Sequence, residues 1–199
     1  MAQNGTSRRF LAIMAGTAGL LLAGCVNFSA LDDLKQASPP TGSPFDQALF
    51  QDYAFLARSF GDVGQASYTA FDRDGSLSLN NSDNDVAALA NAYASKALLL
   101  TRGELAEVEP SNDLQSHALR DRLVRALDPG RDVFARDAAR AQADYDCWMM
   151  NQTVPSQGRA AAACRAALDV SLPRLEAEVH AIPQKPAAAA TPAASGPAQ

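Results

Sequence analysis

Histidine and cysteine are scarce in this chain: His117, His180, Cys25, Cys147 and Cys164 are the only ones among 199 residues. Neither histidine stands at ligand spacing from a cysteine, which argues against a metal site, because a structural zinc centre draws its ligands from short, regular spacings. No run shows the sustained apolar–polar alternation of a half-buried strand, and no sheet is expected. No apolar stretch reaches the roughly 18–20 residues that a membrane-crossing helix needs. Nucleophile-elbow, phosphate-loop and zinc-protease patterns are missing, so no catalytic residues and no cofactor are assigned and an enzyme is not expected. Basic residues are outnumbered, 17 Lys and Arg against 22 Asp and Glu. An acidic chain lacks the clustered cations that phosphate contacts demand, and nucleic acid is not expected as a partner.

What the chain does have is a distinctive beginning. Arg8 and Arg9 precede an apolar stretch from Phe10 to the small residues Ala23 and Gly24. Charged, apolar and small-residue regions in that order make residues 1–24 a secretory signal peptide, with a spanning anchor as the alternative. The tetrapeptide Leu22-Ala23-Gly24-Cys25 resembles the lipobox of bacterial lipoproteins. That resemblance implies cleavage before Cys25 and lipidation of its thiol, giving an anchor of several acyl chains, palmitate included, that holds the membrane stably. Val26 follows where an Asp would retain many such lipoproteins in the inner membrane, which resembles outer-membrane sorting with the domain facing the periplasm. Loss of Arg8 and Arg9 with the signal leaves a formal charge of −7.

Lipidation of Cys25 removes the odd thiol of an exported chain. Cys147 and Cys164 are left as a pair that an oxidising periplasm permits to form a disulfide, with two buried free thiols as the alternative.

Composition and periodicity divide the rest. Residues 25–44 read as the lipidated Cys25 and a flexible tether, with KQASPPTGSP at 35–44 extended by its prolines. Residues 45–180 are long enough for one domain with a real core. Residues 181–199, including PQKPAAAATPAASGPAQ, are poor in bulky apolar side chains and are expected to be disordered.

The domain reads as all-α, with about five amphipathic helices in a small antiparallel bundle. The first starts at Pro44 after Ser43 and carries Phe45, Leu49, Tyr53, Leu56 and Phe60 at helical spacing. The second follows Ser82 and Asp83, carries Val86, Leu89, Ala90, Tyr93, Ala97 and Leu98, and is closed by Gly103. Leu114, Leu119, Leu123 and Leu127 mark a third, ended by Pro129-Gly130. A fourth spans about 132–151 with Phe134, Ala138, Ala141, Tyr145 and Trp148 in its stripe. The fifth starts near Ser156, with Cys164, Leu168, Leu172, Leu175 and Val179, and Pro173 predicts a kink or short break. TVPSQG is the turn of the last hairpin, which a Cys147–Cys164 bond would clamp near its connection.

Four features of the sequence have the residue types of a site. FDRDGSLSLNNSD (71–83) has the Asp-x-Asp-Gly order of an EF-hand loop, but with Gly75 sixth the first ligand would be Ala70 and the twelfth Asn81, so a polar turn is the better reading. Tyr53, Phe55, Phe60, Tyr93 and Trp148 could line a groove, yet at helical spacing they read as core. Asp144 and Asp146 project differently from their helix and are expected to face solvent. His117 has no nucleophile identifiable beside it in the sequence and reads as a surface or satisfied histidine.

The runs LFQDYAFLARSF (49–60), AYASKALLLTRGE (92–104), ARAQADYDCWMMNQ (139–152) and AAACRAALDVSLPRLE (161–176) resemble the helical N-terminal region of OmpA-family outer-membrane lipoproteins of Gram-negative bacteria. The Asp-Cys-Trp element and the later Cys-Arg pair are the most specific part. In those relatives an Ala/Pro linker commonly leads into a peptidoglycan-binding domain, whereas this sequence stops at Gln199, where the linker would end, so no peptidoglycan-contacting residue is carried over. The resemblance implies a non-enzymatic interaction module that binds another envelope protein. Its alternative is an envelope-spacing or peptidoglycan-associated lipoprotein that reaches the wall only through a partner. Tyr93 followed by Lys96-Ala97-Leu98 also resembles tetratricopeptide helices, which favours interaction.

Overall fold

The computed structural model describes residues 29–69 and 81–183. The readings made on the signal peptide, Cys25, the EF-hand-like segment and residues 184–199 lie outside them. Six α-helices pack together: α1 (Ser29–Gln36), α2 (Pro44–Thr69), α3 (Asn81–Thr101), α4 (Leu114–Val133), α5 (Ala135–Gln152) and α6 (Gly158–His180), with a 3-10 turn at Pro155–Gln157. The described residues contain no strand, and no helix among them is long and apolar enough to cross a membrane.

Local chemistry sets the helix starts. At α2 the Asp46 N–H donates to Ser43 Oγ at 3.1 Å and the Ser43 N–H donates back to Asp46 Oδ2 at 3.1 Å, while Pro44 takes the first-turn position where its missing N–H costs nothing. At α4 Asp113 accepts from the Ser116 N–H at 2.7 Å and its own N–H donates to Ser116 Oγ at 3.0 Å. Beyond α3, Gly103 has φ of +71°, the left-handed conformation that ends a helix readily only at glycine.

α5 packs against α2, α4 and α6, while α2 also pairs closely with α3, on which α1 rests. Every residue of α5 from Ala141 to Met149 is buried. Phe45, Leu49, Tyr53, Leu89, Ala90, Tyr93, Ala97, Leu119, Leu123, Leu127, Leu168, Leu172 and Leu175 join it in one core. Trp148 packs edge-on to Tyr145, with ring centres 6.0 Å apart, and beneath the Arg165 guanidinium at 5.0 Å. The Cys147–Cys164 disulfide links α5 to α6 across their connection, as expected of the last hairpin.

Three boundaries differ from expectation, each for a packing reason. Residues 29–36 are a docked helix instead of part of a flexible tether: Leu31 and Leu34 are buried, and the Leu31 N–H donates to Asn91 Oδ1 at 3.2 Å. A Cβ at Gly61 would come within 2.4 Å of Leu31 Cδ2, so the missing side chain on α2 is what seats α1. Pro129-Gly130 does not end α4, which continues to Val133. Gly130 serves a close approach there, since a Cβ would lie 2.9 Å from Leu175 Cδ1. Finally, α6 runs through Pro173 as one helix to His180.

Reduction of the disulfide is expected to lower stability by about 2–5 kcal/mol, in line with native bridges in small secreted domains. Cys147→Ala and Cys164→Ala should match each other, and the double variant should be no worse than either, because both residues act through one bond. Denaturant melts with and without reductant check this; additive single-variant effects would contradict it.

Candidate functional site

The polar centre of the molecule is Asp146, fully buried on α5. Burial pushes its carboxyl pKa up, and the Lys96 ammonium, the Glu109 N–H and the Tyr53 hydroxyl oppose that rise. Lys96 Nζ donates to Asp146 Oδ2 at 3.0 Å and to the Glu107 carbonyl at 2.6 Å, and pairs with Glu109 Oε1 at 2.7 Å. An ammonium has three donors, and all three are directed to oxygens of this cluster. The second carboxylate oxygen of Asp146 accepts the Glu109 N–H at 2.8 Å, and the Tyr53 hydroxyl donates to Oδ2. Gln142 Nε2 completes the cluster, donating to Tyr53 Oη at 3.2 Å and to the Ala106 carbonyl at 2.7 Å. Burial and the Asp146 charge together hold the Tyr53 hydroxyl far above its ordinary pKa, so it stays a proton donor.

Four of these contacts end on one stretch of chain. Residues 104–112 have no regular secondary structure, yet Ala106 and Val108 are core residues. Their main-chain groups are satisfied by side chains: Gln142 takes Ala106, Lys96 takes Glu107, Asp146 takes the Glu109 N–H, and Arg120 Nε donates to the Glu109 carbonyl at 2.9 Å. Buried main-chain groups must be paired, and here helices α3, α4 and α5 supply the partners that a neighbouring strand would. Asp146 is closed to solvent with both carboxylate oxygens occupied, while Glu109 stays partly exposed at the edge, so the chemistry of the cluster is to hold a peptide segment in place. A second polar contact lies between α2 and α5, where Arg140 pairs with Asp144 at 3.0 Å and Asp52 at 3.7 Å. Burial raises both carboxyl pKa values against the pull of Arg140, Asp52 to about 6.

Asp144 and Asp146, expected to face solvent, are 6% and 0% exposed. The reason for the difference is that α5 is enclosed by three helices and has little outer face. Tyr53, Tyr93 and Trp148 are core, as expected, whereas Phe55 is 64% exposed. His117 is a surface residue, with Nδ1 3.3 Å from Ser111 Oγ and Nε2 3.6 Å from Asp121. This Ser–His–Asp order lies open to water, and the neighbouring N–H groups of Asn112, Asp113 and Ser116 are taken up by the α4 cap, which leaves them unable to hold an oxyanion. Among the described residues no group of three or more His, Cys, Asp or Glu could hold a metal ion.

Two open grooves border the 104–112 segment. One, of about 500 Å³, has Leu89, Met149, Met150 and Val154 among its lining residues, with Asp85 and Glu109 beside them. The other, of about 760 Å³, runs between Leu105–Val108 and α4. Searches against family models, curated proteins and solved structures find no match to this chain.

Removing the ammonium while keeping its stem isolates the role of the cluster. Lys96→Met is expected to cost about 3–5 kcal/mol, because it leaves a buried carboxylate uncompensated. Adding Asp146→Asn, which removes that charge, should restore part of the loss. Chemical denaturation of the parent, both single variants and the double variant checks this; strict additivity would contradict it.

Proposed function

We propose that this protein is a periplasm-facing outer-membrane lipoprotein whose helical domain is a non-enzymatic protein-interaction module, lipid-anchored through Cys25. The lipobox Leu22-Ala23-Gly24-Cys25 carries this reading. The resemblance of the helical runs to the N-terminal region of OmpA-family lipoproteins supports it, as does the buried cluster, which spends its ionisable groups on internal bonds.

The docked α1 favours a module at the membrane over a spacer reaching away from it. Ser29 opens α1, four residues beyond Cys25. Four residues span at most about 14 Å even when fully extended. The first core side chain, Leu31, therefore stands close to the lipid, and the chain between them is far shorter than a 20-residue tether would be. Wall association remains the alternative, reached through a partner.

Cys25→Ser is expected to abolish palmitate labelling, block processing and release the protein from the membrane fraction. Labelling and fractionation of parent and variant in a Gram-negative host check this. Unchanged labelling of the variant would contradict the lipid assignment.

A further inference from the structure

We propose that the groove between Leu105–Val108 and α4 binds an extended, acidic segment of a partner protein that also carries apolar side chains. The proposal rests on the interaction-module reading and names the surface that would serve it.

Charge is the first argument. Arg102, Arg122, Arg140, Arg165 and Arg174 are each ion-paired within this chain. Arg58, Arg120, Arg125, Arg131, Arg136 and Arg159 form no ion pair among the described residues, and three of them, Arg120, Arg125 and Arg131, gather at this groove. Glu107 and Asp128 also line it, which leaves the groove one positive charge in excess within a chain whose formal charge from Cys25 is −7.

Two of the three guanidinium groups are held in place by uncharged partners. Arg120 donates to the carbonyls of Glu109 at 2.9 Å and Val108 at 3.4 Å. Arg131 lies 4.9 Å from the Phe45 ring centre and reaches Gln142 Oε1 at 3.5 Å, with its Nε buried and without an acceptor. A guanidinium fixed by neutral acceptors keeps its full charge for an incoming anion and loses little freedom on binding it.

Shape selects a peptide over a small anion. From Arg120 to Arg131 the helix rises about 16 Å and returns to nearly the same face, while Arg125 stands on the rim toward Glu176 of α6, so the cations are spread along the groove and do not converge on one point. About five extended residues cover that length. Between the cations lie apolar positions: Leu105 is 52% exposed and Val124 44%, over Leu127. An extended segment with carboxylates on one side and apolar residues on the other matches both features. The chain's own residues 184–199 do not, since they hold Lys185 and no Asp or Glu.

The test uses the purified full chain and a fluorescent hexapeptide alternating Glu and Leu, read by anisotropy against its Lys/Leu counterpart and against phosphatidylglycerol vesicles. Arg125→Glu, at an exposed residue without an ion pair, should weaken Glu/Leu binding at least tenfold, while Arg159→Glu elsewhere on the surface leaves it unchanged. Equal binding of the Lys peptide, no effect of Arg125→Glu, or Arg125-dependent binding to vesicles in place of the peptide would overturn the proposal. In cells, a photocrosslinker at Val124 should capture an envelope protein in the parent and not in Arg125→Glu. Adducts from Phe55 or Val170 with none from Val124 would sink the groove and leave the interaction module standing; adducts from no position would count against both.

Discussion

One ammonium group joins the irregular part of this structure to its helices. Lys96 Nζ reaches the Asp146 carboxylate on α5, the Glu109 carboxylate and the Glu107 carbonyl from a single point on α3. Around it, Tyr53 brings in α2 and Gln142 a second position of α5. Charges buried in this way are costly to remove from water, and they are tolerated because both Asp146 oxygens and the Lys96 ammonium have close partners. Such a cluster acts chiefly on specificity: it fixes which stretch of chain covers the bundle and in which register, since a slip by one residue would break several bonds at once.

The segment held by these contacts shapes both grooves. Val108 and Leu105 line one, and Glu109 and Pro110 the other. Arg120 connects the two levels, because the carbonyls that orient it belong to Val108 and Glu109, next to the residues that Lys96 and Asp146 hold. A surface formed partly by irregular chain is thus given the rigidity of the helical core. On the far side, the disulfide and the Arg122–Glu176 pair, which lowers the Glu176 pKa through its hydrogen bond, tie α6 to α5 and α4.

Periodicity made the helical class and the last hairpin legible, since Leu119, Leu123 and Leu127, or Leu168, Leu172 and Leu175, are spaced as only a helix face requires. Cysteine arithmetic pointed to the Cys147–Cys164 bond. The buried cluster was not legible. Its members come from positions 53, 96, 109, 142 and 146, and no local spacing shows that a Lys and an Asp fifty residues apart will meet inside. One signal was present: a helix with Ala138, Ala139, Ala141 and Ala143 beside Tyr145 and Trp148 has small or apolar residues on almost every side, so its interleaved Gln142, Asp144 and Asp146 had few exposed positions left. α1 was hidden for a different reason. Eight residues with two leucines give too short a pattern, and Gly61, the residue that makes room for them, lies in another helix. Pro129-Gly130 misled because a proline and glycine together are usually a stop, whereas here the glycine was needed for the approach of α6.

Amide hydrogen exchange at Glu109 tests the central claim most directly. Its N–H lies in a segment without regular secondary structure and donates only to the buried Asp146 carboxylate. An amide held by a rigid core exchanges only when the surrounding unit opens. The account predicts that the Glu109 amide is protected to the same degree as the amides of α5. Exchange at the rate of an exposed loop amide, with α5 still protected, would mean that the segment moves independently of the helices and that the Lys96–Asp146 cluster does not hold it.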